Sequence, residues 1–469
     1  MPRARAGRRA ALLALLGIPL LAWGCGGGGG GDTNGGDTTP SGGGPVVRVV
    51  DGDTGQPLVG ATIRAFSGPG RPTTLTAGSG GRATLPEGTI LVRARASDHG
   101  PGRASVKGPE TVVELYDPRL QSPQYGGGPD RLRYVPDVRV GPPEHPPAWT
   151  FQSRTLLEFP PAVENGVAVV GTNSGRVYAL DVHTGKVIWA KRQRGYIAAT
   201  PAIAYGRVYV AAMDGTLTCY RMADGLRIWQ ASTGGSPIES SPLVVADQLY
   251  FGAWNGKLYS YDLRTGKLRW TFQAAGDIKG SAAQAGNLVV VGDYAGRVHG
   301  VSRATGRAVW TYTGGRRFYG GPGVSGGALV IGDVGGSIIS LDAQTGRERW
   351  RVPTGGAYVY SSPAIANGVA YIGSYDGRLR ALEVSNGASR WTFDVGGRIS
   401  GSATVVDGIV YTARLYAAGQ PRATYGLDAG SGAIRFRGPD GRYSPAVGAG
   451  RTLYLVGTRR LYAYRSTSP

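Results

Sequence analysis

The sequence predicts an all-β protein in which an eight-bladed β-propeller follows a small β-sandwich. Three observations support this class. The 469 residues include 80 glycines and 30 prolines, a composition typical of many short strands joined by tight turns. Short apolar segments alternate with polar residues, which is the pattern of half-buried strands. Beyond the first third of the chain a similar unit returns about every 40 residues, which indicates a repeat protein.

The first 24 residues have the pattern of an export signal. Four arginines precede an apolar run over residues 10–23, which is too short to span a bilayer. The segment LAWGC that ends at Cys25 resembles a bacterial lipoprotein signal, although Trp23 departs from the usual small residue. The resemblance implies that residues 1–24 are a signal peptide and that Cys25 receives lipid. The alternative is an ordinary cleaved secretion signal with an incidental cysteine.

A tether and a small domain follow. Residues 25–44 are rich in glycine, and about 20 such residues give a flexible tether with a mean reach of roughly 25 Å. Residues 45–116 contain four alternating segments separated by Gly, Pro and Asp turns, the pattern of a β-sandwich. The motif VDGDTGQPLVGA at 50–61, with LPEG at 85–88, resembles the carboxypeptidase regulatory-like domain. That resemblance implies a non-catalytic spacer.

Residues 117–147 separate the small domain from the repeats. They are rich in Pro and Gly and have no sustained period, which predicts an extended connector. Residues 148–466 are the predicted propeller. Each unit has three hairpin-linked strands and the start of a fourth, but the last unit ends before its fourth strand. We therefore expect residues 149–151 to supply that strand and close the ring, which removes exposed sheet edges.

Tryptophans spaced by 40 or 41 residues mark the repeat, with Phe436 in the eighth place. Each is predicted to pack between adjacent blades, where a large aromatic contributes several kcal/mol. These docking residues are Trp149, Trp189, Trp229, Trp270, Trp310, Trp350 and Trp391.

The unit GRVYALDVHTGKVIW at 175–189 is similar to the tryptophan-docking repeat of pyrroloquinoline-quinone-like (PQQ-like) propellers. That family has two functional branches. Quinoprotein dehydrogenases bind the quinone and calcium at the propeller centre and carry a vicinal cysteine pair, which this sequence lacks. The other branch contains eight-bladed propeller lipoproteins that hold partner proteins in outer-membrane assembly. A lipid-anchored chain of this length is more similar to the second branch.

The residues offer little catalytic chemistry. Motifs with the spacing of a nucleophile elbow and of a dinucleotide fingerprint overlap at 321–327, but they fall on an inter-strand turn with no following helix. Cys219 lies in an alternating strand, where a buried inert thiol is expected. Asp51 and Asp53 have too few companions for a calcium loop, so a hairpin turn is favoured. We predict no catalytic residue, no metal site and no cofactor. The histidines, which show no metal-ligand spacing, are His99, His145, His183 and His299.

The charge balance is strongly basic. The formal charge of +20 falls to +16 without the four signal arginines. The 45 arginines and 6 lysines are spread through nearly every repeat rather than clustered. This pattern indicates a solvated basic surface that attracts anionic polymers or headgroups, and no nucleic-acid partner is predicted.

One position varies from blade to blade just before the innermost strand, whereas its preceding neighbour is mostly apolar. Strand alternation would turn the variable set toward the channel mouth and the apolar set between blades. The alternative is that residues in rim loops vary without any functional constraint. The aligned set is Glu158, Ala198, Glu239, Lys279, Tyr319, Tyr360, Ser400 and Arg442. The predicted partner-binding rim, which adds one nearby arginine, is Glu158, Glu239, Lys279, Tyr319, Tyr360, Arg398 and Arg442.

The combined hypothesis is an exported, lipid-anchored, monomeric and non-catalytic propeller on the periplasmic or cell-surface side of a membrane. It would bind or scaffold an envelope protein, in envelope protein assembly, or an anionic envelope polymer. The alternative is a PQQ-dependent or sugar-active oxidoreductase.

Overall fold

The computed structural model describes residues 44–415 and 421–466. In these ranges every regular element is a β-strand, apart from two single-turn 3₁₀ helices at Ser79–Gly81 and Pro118–Leu120. The predicted all-β class is therefore confirmed. Within the same ranges no helix has the length and apolar character needed to cross a bilayer.

Two sheets precede the propeller. Their strands are β1 (Val46–Asp51), β2 (Thr62–Phe66), β3 (Thr73–Thr76), β4 (Arg82–Thr84), β5 (Leu91–Arg95), β6 (Gly102–Ser105) and β7 (Glu110–Leu115). One sheet has the order β4-β1-β7, with β1 and β7 parallel, and the other has the order β3-β2-β5-β6. Alternation along the strands puts Val47, Ile63, Val92 and Val113 into one buried cluster. The two sheets thus form a small β-sandwich.

The later strands build eight four-stranded antiparallel sheets within residues 149–415 and 421–465. Their strands are β8 (Trp149–Gln152), β9 (Ala162–Glu164), β10 (Val167–Gly171), β11 (Arg176–Asp181), β12 (Val187–Arg192), β13 (Ala202–Ala204), β14 (Arg207–Ala211), β15 (Thr216–Arg221), β16 (Arg227–Ser232), β17 (Leu243–Val245), β18 (Gln248–Gly252), β19 (Lys257–Asp262), β20 (Leu268–Gln273), β21 (Ala283–Ala285), β22 (Leu288–Gly292), β23 (Arg297–Ser302), β24 (Ala308–Thr313), β25 (Gly323–Ser325), β26 (Ala328–Gly332), β27 (Ser337–Asp342), β28 (Glu348–Pro353), β29 (Ala364–Ala366), β30 (Val369–Gly373), β31 (Arg378–Glu383), β32 (Ser389–Asp394), β33 (Thr404–Val406), β34 (Ile409–Ala413), β35 (Thr424–Asp428), β36 (Ile434–Gly438), β37 (Ala446–Ala449), β38 (Thr452–Val456) and β39 (Arg460–Arg465). The first seven sheets are consecutive meanders from β9 to β36, and the eighth has the order β37-β38-β39-β8.

The eighth sheet joins the two ends of the repeat region. β8 pairs antiparallel with β39, with Trp149 opposite Ala463. The prediction that residues 149–151 supply the missing strand is confirmed by this pairing. Trp149 also shares a buried cluster with Val170 of the first sheet and Tyr454 of the eighth. The ring is therefore closed by packing as well as by hydrogen bonds.

Apolar packing links each sheet to the next. The first and second sheets bury Val169 with Val208, and the seventh and eighth bury Tyr411 with Leu453. Comparable clusters join the other neighbours. Each square ångström of apolar surface buried in this way contributes roughly 25 cal/mol. Stability is thus distributed around the whole ring.

The repeat tryptophans lie at these junctions. Each one stands on the outermost strand of a sheet, with its ring against a glycine in the last turn of the next sheet, as Trp189 does at Gly225. A Cβ at Gly225 would come within 2.8 Å of the indole, so the close approach requires glycine. The buried indole N–H groups of Trp229 and Trp310 have no hydrogen-bond partner. The indoles that donate to a backbone carbonyl of the next sheet are Trp149, Trp189, Trp270, Trp350 and Trp391.

The connector does not pass around the outside of the ring. Residues 120–135, which we call the channel plug, run along the innermost strands and hydrogen-bond to all eight sheets. The aperiodic sequence suits this path because each plug residue meets a different blade. The bonded pairs are Leu120 with Gly450, Ser122 with Val163, Pro123 with Ile203, Gln124 with Val244, Pro129 with Gln284, Asp130 with Val324, Leu132 with Ile365 and Arg133 with Val405.

Two arginines fix the plug. Arg131 is 2% exposed and donates to four backbone carbonyls, two before the third innermost strand, one before the fourth and one in the plug. Arg133 donates to the carbonyl of Ala403, and its Cζ lies 4.1 Å from the centroid of the Tyr125 ring. Both arginines adopt positive φ angles, a backbone cost on the order of 1–3 kcal/mol that these contacts offset.

Candidate functional site

The central channel opens on the face away from the β-sandwich. Tyr116, just after the sandwich, hydrogen-bonds to His183 in a turn between the third and fourth strands of the first sheet. Because successive strands reverse direction, the segments that lead into the innermost strands emerge at the opposite end of the blades. There they surround a cavity of about 160 Å³. We call this cavity and its lining residues the channel mouth.

The residues at the aligned variable position come together at this cavity. Seven of its eight residues line the cavity, and Arg442 stands next to the lining residue Tyr443. The preceding residues are buried between blades: Leu157, Ile197, Ile238, Ile278, Phe318, Val359 and Ile399. The prediction that a strand produces this alternation is wrong, because each segment is irregular and the innermost strand begins only four residues later.

A second repeated position, absent from the sequence-based predictions, lies two residues further along. The serine hydroxyls at this position accept hydrogen bonds from the backbone N–H of the equivalent residue one blade earlier. The hydroxyl of Thr200 instead donates to the carbonyl of Pro160, its equivalent one blade earlier. The bonds link neighbouring blades around the channel. The same 40-residue spacing that marks the tryptophans would have located this set, which is Thr200, Ser241, Ser281, Ser362, Ser402 and Ser444.

The plug forms the floor of the mouth. Tyr125 lines the cavity, and its hydroxyl oxygen lies 3.1 Å from Oγ of Ser402. Its ring contacts the ring of Phe159 edge-on, with centroids 5.9 Å apart. Below it Arg131 is held by backbone carbonyls. The plug therefore closes the mouth on its inner side.

Glu239 organises one side of the mouth. Its carboxylate accepts hydrogen bonds from Nε1 of Trp254 at 3.1 Å and from the hydroxyl of Tyr319. Burial and the nearby charge of Glu239 raise the pKa of Tyr319 far above its ordinary value, so this hydroxyl remains a donor. The ring of Tyr319 contacts Tyr360 edge-on, with centroids 4.8 Å apart.

Aromatic rings and cations continue around the rim. Tyr360 packs against Tyr375 at 4.8 Å, and Cζ of Arg398 lies 5.5 Å from the Tyr375 centroid. On the other side, Nζ of Lys279 lies 3.8 Å from the Trp254 ring centroid. Such cation–π contacts contribute about 0.5–2 kcal/mol each and hold the charged groups against the rings.

Glu158 has a different environment from Glu239. Burial raises the pKa of Glu158, and the charge of Glu239 raises it further, while Arg442 opposes these effects. The structure gives the Glu158 carboxylate no hydrogen bond or ion pair to any described residue. Arg442 is engaged elsewhere, with its Cζ 5.0 Å from the centroid of Tyr443. The two mouth carboxylates therefore differ: Glu239 accepts two side-chain hydrogen bonds, whereas Glu158 accepts none from the described residues.

The candidate reactive side chains outside the mouth have structural roles. Burial raises the pKa of the Cys219 thiol to about 12, so it is not a thiolate nucleophile at neutral pH. Asp51 accepts the backbone N–H groups of Asp53 and Thr54, which makes it a turn residue. Across residues 44–415 and 421–466, no group of three or more His, Cys, Asp or Glu side chains can hold a metal ion. Cys25, the predicted lipidation residue, lies outside the described residues.

The repeat region matches a known family. The family model described as outer membrane protein assembly factor BamB matches residues 139–297 and again residues 294–439. The chain belongs to the BamB family. Its propeller is thus a PQQ-like repeat propeller, in agreement with the motif-based resemblance.

Individual relatives fall into two groups. BamB of Yersinia pestis is 30% identical over 148 residues, which are 28% of this chain and 37% of that protein. BamB of Shewanella oneidensis is 31% identical over 126 residues, 24% of this chain and 32% of that protein. A quinohemoprotein alcohol dehydrogenase of Comamonas testosteroni is 28% identical over 155 residues, 28% of this chain and 22% of that protein. The chain spans about a third of the length of these BamB relatives.

Solved structures agree on the fold. The crystal structure of the Comamonas testosteroni dehydrogenase has a TM-score of 0.63 at 14% identity and covers 75% of this chain and 81% of its own. The computationally designed Ika8 protein has a TM-score of 0.61 at 15% identity and covers 68% of this chain and all of its own. The β-propeller class is confirmed by these similarities together with the family match.

The residues of the channel do not fit the quinone of the dehydrogenase branch. That cofactor carries carboxylates, which require cationic partners, yet the mouth itself presents the carboxylates of Glu158 and Glu239. The cations Lys279 and Arg131 are turned toward aromatic rings and backbone carbonyls respectively. The channel centre, where the family resemblance would place the cofactor, contains the plug.

Proposed function

We propose that this protein is an exported, lipid-anchored and non-catalytic member of the BamB family that docks an envelope protein during envelope protein assembly. The observation that carries the proposal is the channel mouth, where aromatic rings, carboxylates and cations stand above a channel closed by the plug. The relatives named for outer membrane protein assembly support the assembly role. Export and anchoring rest on the signal pattern that ends at Cys25.

The docking surface is the rim predicted from the sequence: Glu158, Glu239, Lys279, Tyr319, Tyr360, Arg398 and Arg442. Tyrosine and arginine dominate binding energy at protein interfaces because they combine a large apolar surface with hydrogen-bond donors. Tyr358, which packs against Tyr360 of this rim, is 47% exposed and adds aromatic surface to it. An anionic envelope polymer is the competing partner, since Arg316, Arg317 and Arg398 are exposed nearby.

Capture of the partner tests the docking role. A Tyr319→Ala, Tyr360→Ala double variant should lose a partner that the wild-type protein retains from solubilised native envelope, while keeping its circular dichroism spectrum. Tyr205→Ala is the matched control, because Tyr205 is 77% exposed but lies in a turn on the opposite face. Undiminished capture by the folded double variant would move docking to the blade sides or the β-sandwich.

The second candidate function is a PQQ-dependent or sugar-active oxidoreductase, favoured by the similarity to the dehydrogenase of Comamonas testosteroni. The experiment is titration of the purified protein with the quinone and calcium while its absorbance is recorded. We expect no saturable change in the quinone spectrum, because the plug and the mouth carboxylates oppose binding. A stoichiometric spectral shift would favour the enzyme and contradict the non-catalytic proposal.

A further inference from the structure

The mouth contains an asymmetry that bears on its ligand. Following the ring, the aligned position carries Arg442, Glu158, Ala198, Glu239 and Lys279 on one side, and tyrosines on the other. The two carboxylates thus flank a single blade whose own residue is alanine. The small side chain of Ala198 lines the same cavity as both carboxylates.

The flanking cations do not neutralise this space. Nζ of Lys279 is held over Trp254 and Tyr294, at 3.8 and 4.3 Å from the ring centroids. Cζ of Arg442 is held over Tyr443, at 5.0 Å. Neither cation comes within 4.0 Å of Glu158 or Glu239. Arg442 thus acts on Glu158 only through a longer-range attraction, and neither mouth carboxylate forms an ion pair with a described residue.

The walls of the cavity suit a cation with an apolar stem. Tyr319 and Tyr360 form one wall, and Tyr125 and Phe159 form the floor. Aromatic faces attract cations, and the methylene groups of lysine and arginine pack on apolar surface while their heads reach polar partners. The carboxylate of Glu158, which lines the cavity and accepts no hydrogen bond from the described residues, supplies an acceptor for such a head group.

We propose that the channel mouth receives a basic side chain, lysine or arginine, from an extended segment of the partner protein. Glu158 and Glu239 bind its charged head above Ala198, and the tyrosine wall contacts its stem. This inference rests on the proposed docking function and deepens it by naming the chemistry of the partner. It assigns the exposed arginines of the rim to the periphery of the interface rather than to an anionic ligand.

Short peptides test the inference directly. The probes are fluorescein-labelled Gly-Tyr-Arg-Tyr-Gly and its counterparts with Gln or Glu in the central place, measured by fluorescence anisotropy. A charge-assisted hydrogen bond to a carboxylate is expected to favour the Arg peptide over the Gln peptide by about tenfold. The Glu peptide should bind most weakly, and raising the salt concentration should reduce the preference.

Variants of the full protein complete the test. A Glu158→Gln, Glu239→Gln double variant should lose the tenfold preference while keeping its melting temperature. Asp277→Asn is the matched control, because Asp277 is an acidic residue of the same face outside the cavity lining, and it should keep the preference. Equal binding of all three peptides, binding of none, or preference for the Glu peptide would each overturn the inference.

The outcome is separable from that of the docking proposal. If the peptide preference fails but partner capture still requires Tyr319 and Tyr360, the mouth docks a partner without a basic anchor. If capture also ignores Tyr319 and Tyr360, the docking role of the mouth fails as well.

Discussion

Nε1 of Trp149 donates a 2.7 Å hydrogen bond to the backbone carbonyl of Val182. Trp149 belongs to β8 in the eighth sheet, and Val182 follows β11 in the first. The same bond type links the other sheets through Trp189, Trp270 and Trp350. The junction between the two ends of the repeat region is therefore built like an ordinary junction within it.

Tryptophan removal should separate these two kinds of junction. Trp270→Ala is expected to lower the stability by roughly 3–5 kcal/mol, because it leaves a cavity between two blades. Trp149→Ala should cost a similar amount and also increase hydrogen exchange selectively in β8 and β37–β39. Thermal unfolding and exchange mass spectrometry measure both effects. An unchanged melting temperature in the Trp270 variant would contradict inter-blade packing by tryptophan.

Replacing Cys25 by serine should release the protein from membranes, since serine cannot receive the lipid of a lipoprotein signal. The measurement is fractionation of cells that express the full chain, followed by immunoblotting. A Cys219→Ser variant is the control, because Cys219 is buried in the second sheet and should not affect anchoring. Complete membrane association of the Cys25 variant would exclude lipid as the anchor.

Removing the guanidinium of the plug should destabilise the whole ring. In Arg131→Met, the backbone carbonyls that now accept from Arg131 become buried acceptors without donors, at about 1–3 kcal/mol for each that stays unsatisfied. Denaturant unfolding of Arg131→Met should show a lower midpoint. Arg64→Met, at an exposed position of the sandwich, should leave the midpoint unchanged. An unchanged midpoint for Arg131→Met would mean that the plug contributes no stability.

Asp53 should make stability depend on pH. Burial and the charge of Asp51 raise the pKa of Asp53 to about 7 from 3.8, and one of its carboxylate oxygens is buried without a partner. Between pH 4 and 7 the folded chain keeps a proton that the unfolded chain releases, so this group stabilises below pH 4 and the benefit is lost as pH rises through 7.

Asp53→Asn should therefore be more stable than wild type at pH 8, by on the order of 2–4 kcal/mol, and similar to it at pH 4. Denaturant unfolding at the two pH values measures the difference, with Asp137→Asn as an exposed control. A difference of equal size at both pH values would show that Asp53 does not titrate in this range.

The sequence predicted the repeating tryptophan and rim positions, but it missed the repeating serine position beside the rim and the plug, which does not repeat. The spacing from Trp149 to Trp391 located the blades, and aligning the repeats brought Glu239 and Tyr319 to the same cavity. The sequence pattern could not predict the plug, because Arg131 bonds to carbonyls up to 151 positions away and each plug residue has a different environment. Pro and Gly in residues 117–147 predicted irregular backbone, but composition carries no information about which strands that backbone meets.

The rim geometry marks a second limit. In the irregular segment before β9, Leu157 is buried and Glu158 lines the mouth without any strand pairing there. Neighbouring residues can face opposite sides without forming a strand, so the pattern predicted the faces correctly and the element type wrongly.

The position of the plug before the blades in sequence has a consequence for how the molecule assembles. Pairing of β8 with β39 joins residues such as Gln152 and Arg460, which are 308 positions apart. Closing so long a loop is entropically slow and comes late. The plug, however, is synthesised before any complete blade. Each new blade can therefore bond its innermost strand to a segment that is already present, before the circle is complete.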